Sequence, residues 1–550
     1  MANPLNPAIQ EAPLPIAAET NYDEKNIASV GVSPSVHVQP ALRGWLAGLQ
    51  SKIRLRNRRN QHGSPPISQP RGAQPSEPNS IKARVWKFFR FLGPGAIITV
   101  AYVDPDNYQT AIASGGSFEY KLLFMVLVSN VIAMYIQSLC VKLGTVTGQD
   151  LAQLNHRHLP RRLELAIYVV AEASIIATDL GQVIGTAIAL NILIPKLPLP
   201  ASCVISVVET LLILLFYTNT GELRRVRLFE VLIAILVAAV FVTLCVGLSM
   251  ISTSARDVLR GFVPSTKVFV DTGLYEMCAI LGGTLMPHAL YVGTSLSRTR
   301  LYDYDAKHNL APRESPDAST DTLSSYRPSL RAIKSCLNYS IAELCVTLFT
   351  VAVFVNSALV IISGAAFYKG GGGGDDGDGS GEGEVSSDLY DLYDLFSETI
   401  SPVAGVLFAV SLLFSGVSAG IVSTMAGQIL MEGAFNIRVS PFLRRLMTRC
   451  VAIIPALVIA VAVGQDGLSR ALVACNYLLA IALIPITFPL IWYTCLSKYM
   501  LVPSDDGTGM VSMENSLPTA GIAWILWLLV VVMDVATVVL VGLGITKDDG

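Results

Sequence analysis

The sequence predicts an all-α integral membrane protein with about eleven transmembrane helices, on three observations. Of its 550 residues, 52% are hydrophobic and only 15% are charged, whereas roughly 25% of an average soluble domain is charged. Eleven apolar runs are long enough to cross a bilayer as helices. Helix-breaking motifs interrupt two of these runs, the first and the sixth.

The apolar runs set the domain organisation. They cover residues 87–113, 122–143, 164–194, 199–217, 229–252, 273–297, 334–367, 402–432, 447–464, 470–496 and 519–545. Hydropathy alone allows the 402–432 run to end early. Residues 1–84, which are polar and rich in Pro, Ser, Asn and Arg, predict a disordered tail. Residues 85–550 form the predicted membrane domain.

Loop charge predicts the orientation, because Lys and Arg accumulate on the cytoplasmic side. The tail and the connections after the second, fourth, sixth and eighth runs are basic. We therefore expect a cytoplasmic N-terminus, a cytoplasmic loop at 299–333 and an acidic, Gly-rich external loop at 368–399. The sequence predicts a multi-pass protein of the plasma membrane or of an endosomal or vacuolar membrane, without distinguishing among them.

Other function classes are disfavoured. A net charge of −2 gives no indication of nucleic-acid binding. The nine cysteines form no CxxC pair, so most are expected to be small core residues. No Gly-rich phosphate loop appears and nothing suggests covalent catalysis. We expect neither an enzyme nor a cofactor, and the oligomeric state stays open.

The first interruption is the segment Asp104-Pro105-Asp106-Asn107. A carboxylate facing lipid costs roughly 2.5–3.5 kcal/mol on insertion scales, so Asp104 is expected to face a wet cavity or a cation. Pro105 removes a backbone donor and frees carbonyls such as that of Ala101, and Asn107 adds a neutral oxygen. The alternative is a kink in which Asp104 only caps the following helix.

The second interruption is Met286-Pro287-His288, preceded by Gly282-Gly283. Unwinding there would expose the Gly283 carbonyl beside the Met286 thioether. Oxygen ligands with one sulfur suit Mn²⁺ or Fe²⁺ better than Ca²⁺ or Mg²⁺. The alternative is that Met286 merely fills the core.

Paired breaks indicate a midplane ion or substrate site if helices one to five and six to ten form an inverted repeat. His288 can change its charge near neutral pH and could relay a proton. Asp179, in the third run, could accept that proton. Alternatively, His288 is only hydrogen-bonded, and Asp179 only pairs with a neighbouring helix.

Ordered motifs along the chain resemble the Nramp family of divalent metal transporters, and specifically its fungal members. They are GPGAIITVAYVDPDNYQT, GTVTGQDL, AEASIIATDLGQVIGTAIALNIL, RGFVPS, MPHALYVGTSL, RLYDYDAKH and STMAGQILMEG. The resemblance implies a LeuT-like fold. It also implies a metal site formed by Asp104, Asn107, Met286 and the carbonyls of Ala101 and Gly283, and proton transfer through His288 and Asp179.

The chain departs from the family pattern at four positions. Asp106 replaces a Gly, and a second carboxylate beside Asp104 would alter metal selectivity or pH dependence. Gln182 stands where the family usually carries an acid, which removes one titratable group from the proton route. Ala289 and Val417 replace polar residues.

These observations lead to the expectation of a secondary active transporter. It would move Mn²⁺ or Fe²⁺ towards the cytoplasm by alternating access, with proton coupling. Two alternatives remain: a membrane metal sensor that does not transport, and a transporter retuned by Asp106 for a harder cation such as Mg²⁺ or Al³⁺.

Overall fold

The computed structural model describes the chain from residue 95 to residue 542, with gaps. The described residues are 95, 98–99, 101–206, 223–249, 251, 253–268, 271–310, 326–368, 388–435, 441–504 and 509–542. They belong to one compact unit, Pro78–Gly550. The predicted tail, residues 1–84, lies outside the described residues.

Helices dominate the described part of the chain. Numbered in order, they are α1 (Pro105–Phe118), α2 (Leu123–Thr147), α3 (Leu151–His158), α4 (Arg161–Leu193), α5 (Leu223–Ser249), α6 (Ala255–Gly261), α7 (Asp271–Leu285), α8 (Pro287–Lys307), α9 (Leu330–Thr347), α10 (Val353–Phe367), α11 (Leu389–Leu395), α12 (Pro402–Phe435), α13 (Pro441–Ala462), α14 (Gln465–Cys495) and α15 (Leu517–Gly542).

Short elements complete the described architecture. Single π-helical turns join α9 to α10 at Leu348–Ala352 and follow α11 at Phe396–Ile400. Strands β1 (Leu501–Pro503) and β2 (Met510–Ser512) form an antiparallel hairpin between α14 and α15. Two 3-10 turns lie at Thr266–Val268 and Ser497–Tyr499.

Five helical segments in the described residues are long and apolar enough to cross a membrane. They are Leu123–Thr147, Leu330–Phe367, Pro402–Phe435, Gln465–Cys495 and Leu517–Val539. Each of the eleven predicted apolar runs contains described helical residues, although eleven separate crossings stay a prediction.

A small residue allows α1, the helix that follows the first interruption, to pack closely against a neighbouring helix. α1 packs along α10, and α4 packs along α12. A Cβ at Gly115 of α1 would lie only 1.9 Å from Ser363 Oγ and 2.6 Å from the Val360 carbonyl oxygen of α10. Such close approach is how helices associate where lipid removes the hydrophobic driving force.

Both predicted interruptions are present. Residues 101–104 form turns and bends rather than helix, and α1 begins at Pro105. α7 ends at Leu285 and α8 begins at Pro287, with Met286 between them at φ 0° and ψ 107°. In the described residues the breaks thus separate α1 from the chain that precedes it, and α7 from α8.

Three element boundaries differ from the hydropathy reading. The 402–432 run does not end early, because α12 is continuous from Pro402 to Phe435. The external loop predicted at 368–399 contains α11, where Asp388 caps the first turn through a capping box. The cytoplasmic loop predicted at 299–333 is shortened, because α8 continues to Lys307 and α9 begins at Leu330. Residues 311–325 and 369–387 lie outside the described part.

Candidate functional site

Asp104 lies at the first interruption and is fully buried. It is the N-cap of α1, where its Oδ1 accepts a hydrogen bond from the Asn107 backbone N–H at 3.0 Å. Its Oδ2 has no hydrogen-bond partner among the described residues. Asp104 can therefore cap α1 and also face a cation, because capping uses one carboxylate oxygen and leaves the other available.

The backbone around Ala101 has lost the regular helical hydrogen-bond pattern. The Ala101 N–H donates to the Ile98 carbonyl at 3.1 Å, which closes a four-residue turn instead of a helical i to i−4 bond. Four residues after Ala101 stands Pro105, which has no N–H to donate. The Ala101 carbonyl therefore has no helical donor. The Val103 carbonyl is bound from outside, by the Ser415 hydroxyl of α12 at 2.7 Å.

The two interruptions meet at Asn107 and Gly283. A Cβ at Gly283 would lie 2.4 Å from Asn107 Oδ1 and 3.0 Å from Asn476 Oδ1 of α14. Only glycine leaves room for both amide oxygens at this point. Asn476 is held by donating to the Asp106 carbonyl at 3.1 Å and to Thr110 Oγ1 at 2.7 Å. Sequence reasoning missed Asn476, although a lone Asn in the long apolar run at 470–496 was a usable signal.

Met286 and His288 occupy the second interruption. The Met286 side chain is fully buried and His288 is 1% exposed. His288 Nδ1 lies 3.3 Å from the Thr178 hydroxyl of α4. In α4 the next residue is Asp179, whose Oδ1 accepts a 2.7 Å hydrogen bond from Ser423 of α12. His288 thus contacts the residue that precedes Asp179 in α4, and the Asp179 side chain itself is bound from α12.

A buried arginine completes this cluster and was not predicted. Arg449 of α13 is 1% exposed. Its guanidinium donates to the Asp179 carbonyl at 3.1 Å and to Gln182 Oε1 at 3.2 Å. The signal in the sequence was an arginine inside the apolar run at 447–464. Gln182, predicted as a missing titratable group, is therefore an uncharged acceptor for a buried cation.

Asp106 is 1% exposed and faces α4. Both of its carboxylate oxygens lack a hydrogen-bond partner within the described residues. Ala289, at another departure from the family pattern, is a fully buried core residue. The described ranges contain no cluster of three or more His, Cys, Asp or Glu side chains able to hold a metal ion.

Sequence comparisons identify related proteins. A family model described as natural resistance-associated macrophage protein-like, abbreviated Nramp, matches residues 95–540. The manganese transporter pdt1 of Schizosaccharomyces pombe is 43% identical over 470 residues, which cover 84% of this chain and 87% of that protein. The iron transporter SMF3 of Saccharomyces cerevisiae is 42% identical, covering 76% of this chain and 85% of that protein.

The chain is also similar to solved structures of a metal transporter. A manganese transporter of Eremococcus coleocola matches with a TM-score of 0.67 and 26% sequence identity, covering 86% of this chain and 91% of that protein. This likeness, together with the helices described above, confirms the predicted fold class of a helical membrane transporter with two interrupted helices.

Proposed function

This chain belongs to the Nramp family, and from that premise we propose that it is a secondary active transporter of divalent transition metal ions, with Mn²⁺ or Fe²⁺ as cargo. Members of the family are transporters rather than enzymes, so the metal is substrate and not cofactor. One observation carries the proposal: a buried carboxylate oxygen of Asp104 has no partner in the described structure, at the place where two broken helices meet.

The proposed cargo ligands are one carboxylate, one thioether and three neutral oxygens. They are Asp104, Met286, Asn107 and the backbone carbonyls of Ala101 and Gly283. The contact between Asn107 and Gly283 supports this set, because it draws ligands from both interruptions to one point. A set with one sulfur favours borderline transition metals over Ca²⁺ and Mg²⁺.

Proton coupling is part of the proposal, with His288 and Asp179 as the groups that carry the proton. The placement of His288 against Thr178, the residue before Asp179 in α4, supports the route. The uncharged Gln182 beside Arg449 weakens it, because a carboxylate at that position would offer a further proton acceptor.

The chain is a multi-pass membrane protein, and we place its N-terminus in the cytoplasm on the distribution of Lys and Arg. In this orientation α1 ends and α7 begins at the external face. The plasma membrane and the vacuolar membrane both fit the proposed import of metal into the cytoplasm.

The test is Mn²⁺ uptake into proteoliposomes that contain the purified protein and an internal pH dye, at several external pH values. Uptake with internal acidification is the expected result. Uptake without acidification would reduce the proposal to a metal uniporter. Measurable Mn²⁺ binding without uptake would replace it by a metal sensor.

A second candidate function is transport of a harder cation, favoured by the two unpartnered oxygens of Asp106. Competition experiments separate the two candidates. Inhibition of Mn²⁺ uptake by Cd²⁺ but not by Mg²⁺ is the expected result, because Met286 provides a soft ligand. Stronger inhibition by Mg²⁺ would favour the second candidate.

A further inference from the structure

A further carboxylate lies on the same pair of helices as the proposed metal ligands. Glu276 belongs to α7, and its Oε2 accepts a hydrogen bond from the Ser114 hydroxyl of α1 at 3.1 Å. Ser114 is fully buried, whereas Glu276 is half-buried. An ionisable side chain at this depth is costly, and such residues mark ion pathways in membrane proteins.

Helical spacing relates this pair to the metal site. Ser114 follows Asn107 by seven residues in α1, and Glu276 precedes Gly283 by seven residues in α7. Seven residues are nearly two helical turns, so each pair shares a helix face at a separation of about 10 Å. Because Asn107 and Gly283 face each other, Ser114 and Glu276 meet on the same two faces, two turns further along.

Polar groups continue between the two levels. Thr110 stands between Asn107 and Ser114 on α1, and its hydroxyl accepts a hydrogen bond from Asn476 of α14. The next residue of α14, Tyr477, stacks on Tyr275 of α7 with 4.0 Å between ring centroids. Polar and aromatic side chains of α1, α7 and α14 therefore contact one another near both positions.

We propose that Glu276 is a second binding position for the divalent metal, about 10 Å along the helices from Asn107 and Gly283, on the side where α1 ends and α7 begins. The inference rests on the proposed function, because it assigns Glu276 to the path of the same cargo. In the proposed orientation this is the external side. A carboxylate there attracts the cation and offsets part of the cost of its dehydration before it reaches Asp104.

The competing explanation is structural. The hydrogen bond between Ser114 and Glu276 would hold α1 against α7, and the charge of Glu276 would not matter. Two variants separate the effect of the Glu276 charge from the effect of the hydrogen bond. Glu276→Gln removes the charge and keeps an oxygen that accepts from Ser114. Ser114→Ala removes the hydrogen bond and keeps the charge of Glu276.

The experiment measures initial rates of Mn²⁺ uptake against Mn²⁺ concentration in cells with matched surface expression. Glu276→Gln is expected to raise KM by about tenfold, equal to about 1.4 kcal/mol, with little change in maximal rate. Glu276→Asp and Ser114→Ala are expected to stay near the wild-type KM. The matched control is Asp534→Asn, since Asp534 is a buried carboxylate of α15 outside the Ser114–Glu276 pair, in a segment that contacts α7 at Cys278.

An unchanged KM in Glu276→Gln overturns the inference while wild-type uptake leaves the proposed function intact. An equal rise in KM in Ser114→Ala and Glu276→Gln also overturns the inference, because it would show that the hydrogen bond matters and the charge does not. Absence of uptake by the wild-type protein would instead contradict the proposed function itself. If Glu276→Gln is poorly expressed, Glu276→Ala is compared with Ser114→Ala instead, because both variants remove the hydrogen bond and only Glu276→Ala removes the charge.

Discussion

Gly181 of α4 approaches the Asp106 carboxylate so closely that a Cβ at position 181 would lie 1.8 Å from Asp106 Oδ1 and 2.3 Å from Oδ2. No heavy atoms tolerate such a separation without displacement. The acidic side chain in the first turn of α1 therefore depends on the absence of a side chain at position 181 of the neighbouring helix. The two positions must be considered as one unit.

The first prediction concerns this unit. Gly181→Ala forces the Asp106 carboxylate or the unwound segment to move, and overpacking of this kind typically costs about 1–3 kcal/mol. We expect a lower thermal unfolding temperature in detergent and slower Mn²⁺ uptake.

The double variant Asp106→Gly with Gly181→Ala provides the control. Removing the carboxylate empties the space that the new methyl group needs, so the double variant is expected to recover most of the lost stability. A stability loss in the double variant equal to the sum of the losses in the two single variants would show that the residues do not interact.

The second prediction concerns the carboxylate at the first interruption. Asp104→Ala removes the only charged member of the proposed ligand set, so Mn²⁺ binding measured by calorimetry should fall below detection. Asp104→Asn retains an oxygen that can accept the Asn107 N–H, and it separates loss of the charge from loss of the cap. Binding at the wild-type level in both variants would show that the metal lies elsewhere.

The third prediction concerns the soft ligand. Met286→Ala is expected to reduce inhibition of Mn²⁺ uptake by Cd²⁺ while improving competition by Ca²⁺, because the remaining ligands are all oxygens. Met277 of α7, which is also buried but lies outside the interruption, provides the matched control variant Met277→Ala. An identical change in both variants would indicate a packing effect rather than metal coordination.

The fourth prediction concerns the buried arginine. Arg449→Ala removes the guanidinium that donates to Gln182 Oε1 and to the Asp179 carbonyl and opens a large cavity, so we expect the free energy of unfolding to fall by several kcal/mol. Arg449→Lys is not expected to restore stability, because one ammonium group does not reproduce the planar fork that contacts two acceptors. Arg470→Ala, at an exposed position of α14, should leave the unfolding temperature unchanged.

The fifth prediction concerns proton coupling. Gln182→Glu places a titratable group beside Arg449 and close to Asp179, where it can form an ion pair and accept a proton. The number of protons that enter per Mn²⁺, measured with an internal pH dye, should increase relative to the wild-type protein. The same ratio in both proteins would remove position 182 from the proton route.

The sequence by itself determined the membrane class, the order of the helices and the two interruptions. Long apolar runs have no other stable solution in lipid than helices, and Pro105 and Pro287 cannot donate the hydrogen bonds that a continuous helix requires. These features are local, so they can be read from neighbouring residues.

Only the tertiary structure decided which distant residues share the site. Asn476 and Arg449 are far from the interruptions in sequence, and nothing in their own runs indicates that they contact Asp106, Gly283, Asp179 or Gln182. The spacing within one helix places residues on a face, but the partner of that face depends on how helices pack. Gly181 likewise carries no chemistry of its own, and its importance appears only because another helix places a carboxylate against it.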